Sequence, residues 1–429
     1  MKIILSTIIF FLVFQLEAQD NLEISTFKYY VENGNYQSAL HEAKSLLATD
    51  SLNPGLWYET GKLYQLLQQY NNAILAFQKA WEIDTTFSVS LFALAKANKL
   101  AGKTNTSIRF YNKFLEKEPE NMAALLNLAH IYRTNYKVDD AYKLYERLFE
   151  IDSTNVEYLR QMADCKESTG DLIEALELLQ KAYVQDDANL LVIYDLTKLY
   201  INSHEFDTTI SIIDKAVGIY PDEGLLYSRK GDAHYGKNHH YRSVPDYQKA
   251  IELGFKSYLT IQRLGASLFS IKRIEEAKET LEQLIVRDTL DYKVCIYLGN
   301  IYNELNNPDT AILFFDKAMD ILTPAPMLIT SIYTGKAESY GRKGKYYKQI
   351  EMIKLRQDAT EKRFKSDWYL LEIADIYENK IMDKKTALKY YQQYWEQIKD
   401  LKWYSEDDKN GILSKINRLR EEMHFEKQD

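Results

Sequence analysis

Residues 57–80 read WYETGKLYQLLQQYNNAILAFQKA, and this stretch decides the fold. Trp57, Gly61 and Tyr64 are spaced by four and three residues, so they share one face of a helix. The second half of the stretch repeats this spacing with Ala73, Phe77 and Ala80. Two helical patterns separated by a short polar segment predict a hairpin of two antiparallel helices.

The same pattern returns every 34 residues along most of the chain. One column holds small residues: Gly61, Ala95, Ala129, Ala163, Thr197, Gly231, Gly265 and Gly299. Another column holds large residues: Phe77, Tyr111, Tyr145, Leu179, Ile213, Tyr247, Leu281 and Phe315. Small residues let helix backbones approach closely, and large ones fill the space between helices. Because one hairpin cannot bury both of its faces, the pattern predicts hairpins stacked along an elongated core.

The spacing and the residue types resemble the tetratricopeptide repeat family. Its pattern of a large residue, Leu-Gly, Tyr, Ala, Phe and Ala is matched here by Trp57, Thr60-Gly61, Tyr64, Ala73, Phe77 and Ala80. The resemblance implies an all-α fold, a right-handed α-solenoid of about eleven helix hairpins over residues 19–401. The units start near residues 20, 54, 88, 122, 156, 190, 224, 258, 292, 330 and 367. Residues 402–429 are predicted to form a C-terminal capping helix with Ile412, Ile416, Leu419 and Met423 on one side.

Three departures from the regular repeat predict local irregularities. Extra residues around Thr323-Pro324-Ala325-Pro326 predict a bend or a loop between the ninth and tenth units. The eleventh unit has one extra residue between Tyr377 and Ala387. Pro245 lies inside the second helix of the seventh unit and is expected to disturb the first turns of that helix.

The N-terminus has the pattern of a signal peptide over residues 1–18. Lys2 is followed by an apolar run from Ile3 to Phe14, and Ala18 offers a small residue before a cleavage point at Gln19. A helix of this run would span only about 18 Å, short of the roughly 30 Å hydrocarbon core. An uncleaved anchor is the alternative. We therefore expect an exported protein, periplasmic or extracellular and associated with the cell envelope, with no membrane span after cleavage.

Composition limits the partners and the redox chemistry. The chain has 54 Lys and Arg against 62 Asp and Glu, so no basic excess supports nucleic-acid binding. Its two cysteines, Cys165 and Cys295, lie about four repeats apart. A disulfide needs Cα atoms within about 7 Å, so two free, buried thiols are predicted.

No pattern for catalysis or for a cofactor stands out. The seven His are scattered, and the sequence has no HExxH, paired CxxC, phosphate-binding Gly loop or Ser nucleophile elbow. No segment outside the repeats is long enough for a catalytic domain. We expect no enzymatic activity, no cofactor and no metal site.

The resemblance implies that the first helix of each unit lines a concave groove. Carried onto this sequence, the groove positions hold Tyr58, Lys62, Phe92, Lys96, Lys99, His130, Arg133, Arg160, Tyr194 and Lys198. Cations with aromatic residues, on a chain of net charge −8, suit an acidic peptide or a free carboxylate. The alternative is that these charges form a solvated face.

Several unit junctions carry Asp followed by Ser or Thr. These segments resemble a bacterial O-glycosylation signal, with candidate acceptors Ser51, Thr85, Ser153 and Thr289. The alternative interpretation is that the Asp, Ser and Thr side chains cap helix N-termini by accepting free amide hydrogens.

Two functions from different classes follow from these patterns. The first is a non-enzymatic interaction scaffold of the bacterial cell envelope, which binds a protein or peptide in its groove. The second is a glycan- or peptide-binding module for nutrient capture, whose stacking surface would comprise Tyr58, Phe92, Tyr194 and Tyr235. The sequence predicts neither the identity of the partner nor the oligomeric state.

Overall fold

The computed structural model describes residues 26–285, 291–321, 326–360, 367–401 and 403–425. Every regular element in these ranges is a helix, and successive helices pair as hairpins. The all-α fold of repeated hairpins predicted from the sequence is therefore confirmed. The chain divides after Leu199 into two compact units, called here the N-terminal unit and the C-terminal unit.

The N-terminal unit is a series of hairpins in chain order. Its helices are α1 (described part 26–32), α2 (Tyr36–Thr49), α3 (Pro54–Leu66), α4 (Tyr70–Ile83), α5 (Val89–Leu100), α6 (Thr104–Leu115), α7 (Met122–Thr134), α8 (Val138–Ile151), α9 (Val156–Thr169) and α10 (Leu172–Gln185). The next helix, α11 (Leu190–Asn202), includes the point of division. Consecutive helices from α2 to α10 pack against one another.

The C-terminal unit continues the pattern and ends on a single helix. Its helices are α12 (Phe206–Ile219), α13 (Gly224–Gly236), α14 (His240–Glu252), α15 (Tyr258–Ser270), α16 (Ile274–Glu282), α17 (Tyr292–Glu304), α18 (Pro308–Ile321), α19 (Pro326–Arg342), α20 (Tyr346–Ala359), α21 (Trp368–Ile376), α22 (Lys384–Ile398) and α23 (Glu406–Phe425). α23 packs on α22.

The small and large columns of the repeat meet inside each hairpin. A Cβ added at Gly61 would lie 2.5 Å from the ring of Phe77, and one at Gly231 would lie 2.7 Å from the ring of Tyr247. Gly299 stands in the same relation to Phe315. The large residue of the second helix thus packs on the backbone of the first, which is why the sequence keeps small residues in that column.

Each hairpin turn contains one residue in the left-handed backbone region. These residues are Gly34, Gln68, Gly102, Tyr136, Gly170, His204, Asn238, Lys272, Asn306, Gly344 and Met382. Most are not glycine, so the turn geometry is imposed by the packing of the two helices. The extra residue predicted for the eleventh unit is accommodated by a π-helical turn, Tyr377–Ile381, between α21 and α22.

The prediction that Pro245 disturbs the first turns of its helix is wrong. α14 runs without a break from His240 to Glu252 with Pro245 inside it. Proline removes one helical hydrogen bond, whose acceptor would be the carbonyl of Tyr241. Tyr241 is 79% exposed, so water can satisfy that carbonyl. The predicted irregularity between the ninth and tenth units lies mostly outside the described residues.

Asp84 and Asp152, at two of the unit junctions, do not cap the following helix, whereas Asp291 at a later junction does cap α17. Asp84 and Asp152 are the C-cap residues of α4 and α8. The Asp152 carboxylate accepts hydrogen bonds from the backbone N–H and the hydroxyl of Thr154, at 3.1 and 2.7 Å. The N-cap of α9 is Asn155, whose side chain accepts from the N–H of Glu157. The N-capping interpretation was therefore wrong for Asp84 and Asp152, which stabilise the turn.

Both cysteine predictions are confirmed, since Cys165 and Cys295 are free and buried. Burial raises the pKa of each thiol to about 11, so both stay protonated at neutral pH. Over the ranges that the structure describes, no helix combines the length and the apolar character needed to cross a bilayer.

Candidate functional site

A pocket of about 580 Å³ lies between α3 and α5, the first helices of two neighbouring hairpins. Four of the predicted groove residues line it: Tyr58, Lys62, Phe92 and Lys96. Leu66 and Leu100 also line the pocket, and they are 54% and 44% exposed. The pocket therefore combines apolar surface open to solvent with two lysines.

Aromatic packing fixes the two rings of the pocket. The ring centroid of Tyr58 lies 5.6 Å from that of Phe77 and 5.5 Å from that of Phe87. Phe92 lies 5.7 Å from Tyr111 in an edge-to-face arrangement. Rings held by several neighbours lose little conformational freedom when a ligand packs on them.

The structure gives most of the predicted groove cations an acidic partner. Lys62 pairs with Glu59, Arg133 with Asp164, Arg160 with Glu157 and Asp195, and Lys198 with Glu167. The hydrogen bond from Arg160 to Glu157, at 2.8 Å, and that to Asp195, at 2.9 Å, raise the pKa of the guanidinium. Arg133, Arg160 and Lys198 therefore connect neighbouring first helices, and their charge is largely neutralised.

Lys96 and Lys99 differ from these cations. Both side chains are exposed, and within the described ranges neither forms an ion pair or a hydrogen bond. Lys96 lines the pocket, whereas Lys99 lies one turn further along α5 and is not among the lining residues. Because the neighbouring cations are already paired, the free positive charge of the predicted groove is concentrated at these two lysines.

His130 on α7 lies near this positive charge. Its Nδ1 is 3.4 Å from the hydroxyl of Tyr145. Burial lowers the pKa of His130, and the charges of Lys99 and Arg133 lower it further, although Glu157 acts in the opposite direction. The imidazole is therefore neutral at pH 7, and a bound anion would favour its protonated form.

In two repeats, the tyrosine of the large column contacts the residue fifteen positions before it, on the first helix of the same hairpin. In the large column, the Tyr145 hydroxyl contacts His130, and the Tyr247 hydroxyl donates to Asp232 at 2.8 Å. Tyr111 is separated from Lys96 by the same fifteen residues in the sequence. Its hydroxyl is buried and has no hydrogen-bond partner among the described residues. Burial raises the pKa of Tyr111 to about 12, so the hydroxyl stays neutral.

We expect Tyr111→Phe to leave stability unchanged or to raise it by up to about 1 kcal/mol, because the substitution removes a buried polar atom without a partner. Tyr247→Phe is the matched control and should cost about 1–3 kcal/mol, since it removes a hydrogen bond to a charged carboxylate. Urea unfolding of both variants measures the difference. A loss of more than 1 kcal/mol in Tyr111→Phe would show that its hydroxyl has a partner.

The remaining predicted residues are not brought into this pocket. Tyr194 and Lys198 lie on α11, and Tyr235 lies on α13 in the C-terminal unit, where its hydroxyl is 3.5 Å from that of Tyr297. The rings of Tyr58, Phe92 and Tyr235 are half-buried among other aromatic residues. The structure therefore groups only part of the stacking surface predicted for a glycan.

Three of the four candidate glycosylation acceptors can be placed. Ser51, Thr85 and Ser153 are exposed and lie in turns between hairpins, and Thr289 lies outside the described residues. Their modification stays a prediction. Among the side chains that the structure describes, no group of three or more His, Cys, Asp or Glu could hold a metal ion.

Sequence comparison gives the class of this chain. Models of the tetratricopeptide repeat match residues 26–85, 124–155 and 292–321. The chain is a tetratricopeptide repeat protein. Proteins of this class are protein–protein interaction scaffolds and are generally not catalytic.

Solved structures with similar folds share little sequence with this chain. A tetratricopeptide repeat protein from Parabacteroides merdae is 14% identical over 66% of this chain and 98% of its own, with a TM-score of 0.39. YrrB, described as having an unusual peptide-binding site, is 17% identical over 43% of this chain and 96% of its own, with a TM-score of 0.37. MamA is 23% identical over 39% of this chain and 91% of its own, with a TM-score of 0.36. No curated protein matches the chain. At these values, the likenesses say nothing about the partner of this chain.

Proposed function

We propose that this chain is an exported scaffold of the bacterial cell envelope, which holds an acidic segment of a partner protein against α3, α5 and α7. The main support is that Lys96 and Lys99 have no acidic partner among the described residues, whereas other groove cations do. A carboxylate placed there would gain charge-assisted hydrogen bonds without displacing an existing ion pair.

Export rests on the N-terminal sequence alone, which lies outside the described residues. Residues 1–18 have a basic residue, an apolar run and a small residue at Ala18. Fractionation of a double-membraned bacterial host that expresses the chain, followed by N-terminal sequencing, tests this part. A mature protein that starts at Gln19 outside the cytoplasm supports export, and a cytoplasmic protein that retains Met1 contradicts it.

The charge-reversal variant Lys96→Glu/Lys99→Glu should lose its partner in an in-cell crosslinking experiment, because an acidic segment would meet two added carboxylates. The matched control is Lys143→Glu/Lys215→Glu, which makes the same change in net charge at exposed lysines on α8 and α12. We expect the wild type and the control to give the same crosslinked partner.

If the crosslinked partner survives in Lys96→Glu/Lys99→Glu at the level of the control, the groove of the N-terminal unit is not the binding site. If the partner is also lost in the control, binding depends on net charge and not on this pocket. Circular dichroism of both variants should show unchanged helix content, since all four lysines are exposed and make no ion pair in the described part of the chain.

A further inference from the structure

We propose that the segment bound by the N-terminal unit has two recognition elements: a bulky apolar side chain that enters the pocket between Tyr58 and Phe92, and an acidic residue two positions away that pairs with Lys96 and Lys99. This inference rests on the proposed function and adds the sequence pattern of the partner. A peptide that was merely acidic would use the lysines and leave the pocket unoccupied.

The apolar element follows from the surface of the pocket. Leu66 and Leu100 line the pocket and are each about half exposed, beside the half-buried rings of Tyr58 and Phe92. Removing this apolar surface from water favours binding of an apolar side chain. The rings are held in place by Phe77, Phe87, Tyr111 and Phe114, so the pocket is already formed.

The acidic element follows from the lysines on α3 and α5. Lys62 is already paired with Glu59 at 2.9 Å, so its charge is partly neutralised. Lys96 and Lys99 have no acidic partner in the described ranges and lie one turn apart on the exposed side of α5. One carboxylate can contact both ammonium groups.

The spacing of the two elements follows from helix geometry. Phe92 and Lys96 are four residues apart on α5, which corresponds to about 6 Å along the helix axis. An extended peptide rises about 3.3 Å per residue, and every second side chain points to the same side. An apolar residue and an acidic residue with one residue between them therefore match Phe92 and Lys96. The first acidic residue is the one that faces the lysines, and an acidic residue directly after it lies on the opposite side of the extended peptide and adds only longer-range attraction.

The test is fluorescence anisotropy of the full chain with a labelled peptide of sequence GSFSEESG and with its reversed-order counterpart GSEESFSG, because the chain direction is not specified. We expect one of the two to bind saturably. Changing its Phe to Ala, or both Glu to Gln, should weaken binding at least tenfold. Inserting three residues between the Phe and the first Glu should weaken binding to the same extent.

Protein variants provide the second arm of the test. Lys96→Met/Lys99→Met should reduce the effect of the Glu-to-Gln peptide change to less than twofold, because the two changes remove the same interaction. Lys143→Met/Lys215→Met, the matched control, should leave binding unchanged. If the peptide with Ala in place of Phe binds as tightly as the parent, or if the insertion has no effect, the two-element pattern is wrong.

The outcomes separate this inference from the proposed function. If neither peptide binds but the crosslinked partner is lost in Lys96→Glu/Lys99→Glu, the groove binds a partner of another pattern and only the present inference fails. If neither peptide binds and the partner also survives in that variant, both proposals fail. Displacement of the peptide by a neutral oligosaccharide at the same pocket would overturn the inference in favour of a glycan ligand.

Discussion

Replacing Gly299 by alanine is expected to destabilise the C-terminal unit by about 2–3 kcal/mol, although alanine is the better helix former. The added Cβ would lie 2.6 Å from Cε1 of Phe315. The ring cannot move away easily, because Phe315 is fully buried and also packs against the backbone of Gly335. The overlap must therefore be relieved by moving α17 and α18 apart, which opens the core between them.

The matched control is Gly218→Ala on α12, in the same unit. Nothing lies within 4 Å of a Cβ added there, and Gly218 has ordinary helical backbone. Alanine should then raise stability by up to about 1 kcal/mol. Urea unfolding of both variants, monitored by far-UV circular dichroism, gives the free energy of unfolding. We expect it to fall in Gly299→Ala and to rise in Gly218→Ala. If Gly299→Ala is as stable as the wild type or more stable, the repeat can adjust to a side chain in the small column.

Replacing Leu419 on α23 by alanine is expected to cost about 2–4 kcal/mol and to expose the end of the last hairpin. Leu419, Ile416 and Ile412 are buried in one cluster with Tyr391 and Tyr394 of α22. These contacts remove from solvent a surface that a further repeat would otherwise cover. Terminal elements of repeat arrays need such a cover, because the last unit has no following neighbour.

Polar contacts also attach α23, but we expect them to contribute less. Lys415 pairs with Asp375 at 3.1 Å, and Arg418 pairs with Glu378. Lys415→Met should cost no more than about 1 kcal/mol, because this pair is largely exposed. Ser414→Ala, at an exposed position of the same helix, should change stability by less than about 0.5 kcal/mol.

Urea unfolding and hydrogen exchange of the amides in α22 and α23 distinguish these three variants. Leu419→Ala should speed exchange in both helices, while Ser414→Ala should not. If Lys415→Met costs more than Leu419→Ala, ion pairs and not apolar burial hold α23 in place.

The candidate site could be predicted only in part. The repeat places Tyr58, Phe92 and Lys96 at equivalent positions of first helices, and the structure brings all three to one pocket. The sequence could not show that Arg133 and Arg160 pair with Asp164 and Asp195, because these partners lie on the first helices of the following hairpins. Nor could it show that Lys96 has no acidic partner among the described residues. Tyr111 was assigned only to the core, although its position relative to Lys96 repeats that of Tyr145 relative to His130.

Local backbone details were harder to predict than the hairpins. Tyr136, Lys272 and Met382 hold left-handed turn positions that their side chains do not favour. Pro245 continues a helix that its chemistry would interrupt. In each case, packing between helices outweighs a preference of about 1–3 kcal/mol at one residue, so inspection of that residue alone was misleading.

The order and pairing of the helices follow from the amino-acid pattern alone, because a period of 34 residues with alternating small and large positions has one efficient way to bury its apolar faces. Which charges stay free, which hydroxyl is buried without a partner, and where a pocket opens depend on contacts between residues about 30 positions apart in sequence. Those contacts form only when neighbouring hairpins stack, and a difference of a few ångströms between side chains determines whether a lysine is neutralised or faces solvent. For this chain, the class of scaffold is therefore a property of the repeat, and the chemistry of its surface is a property of the packed structure.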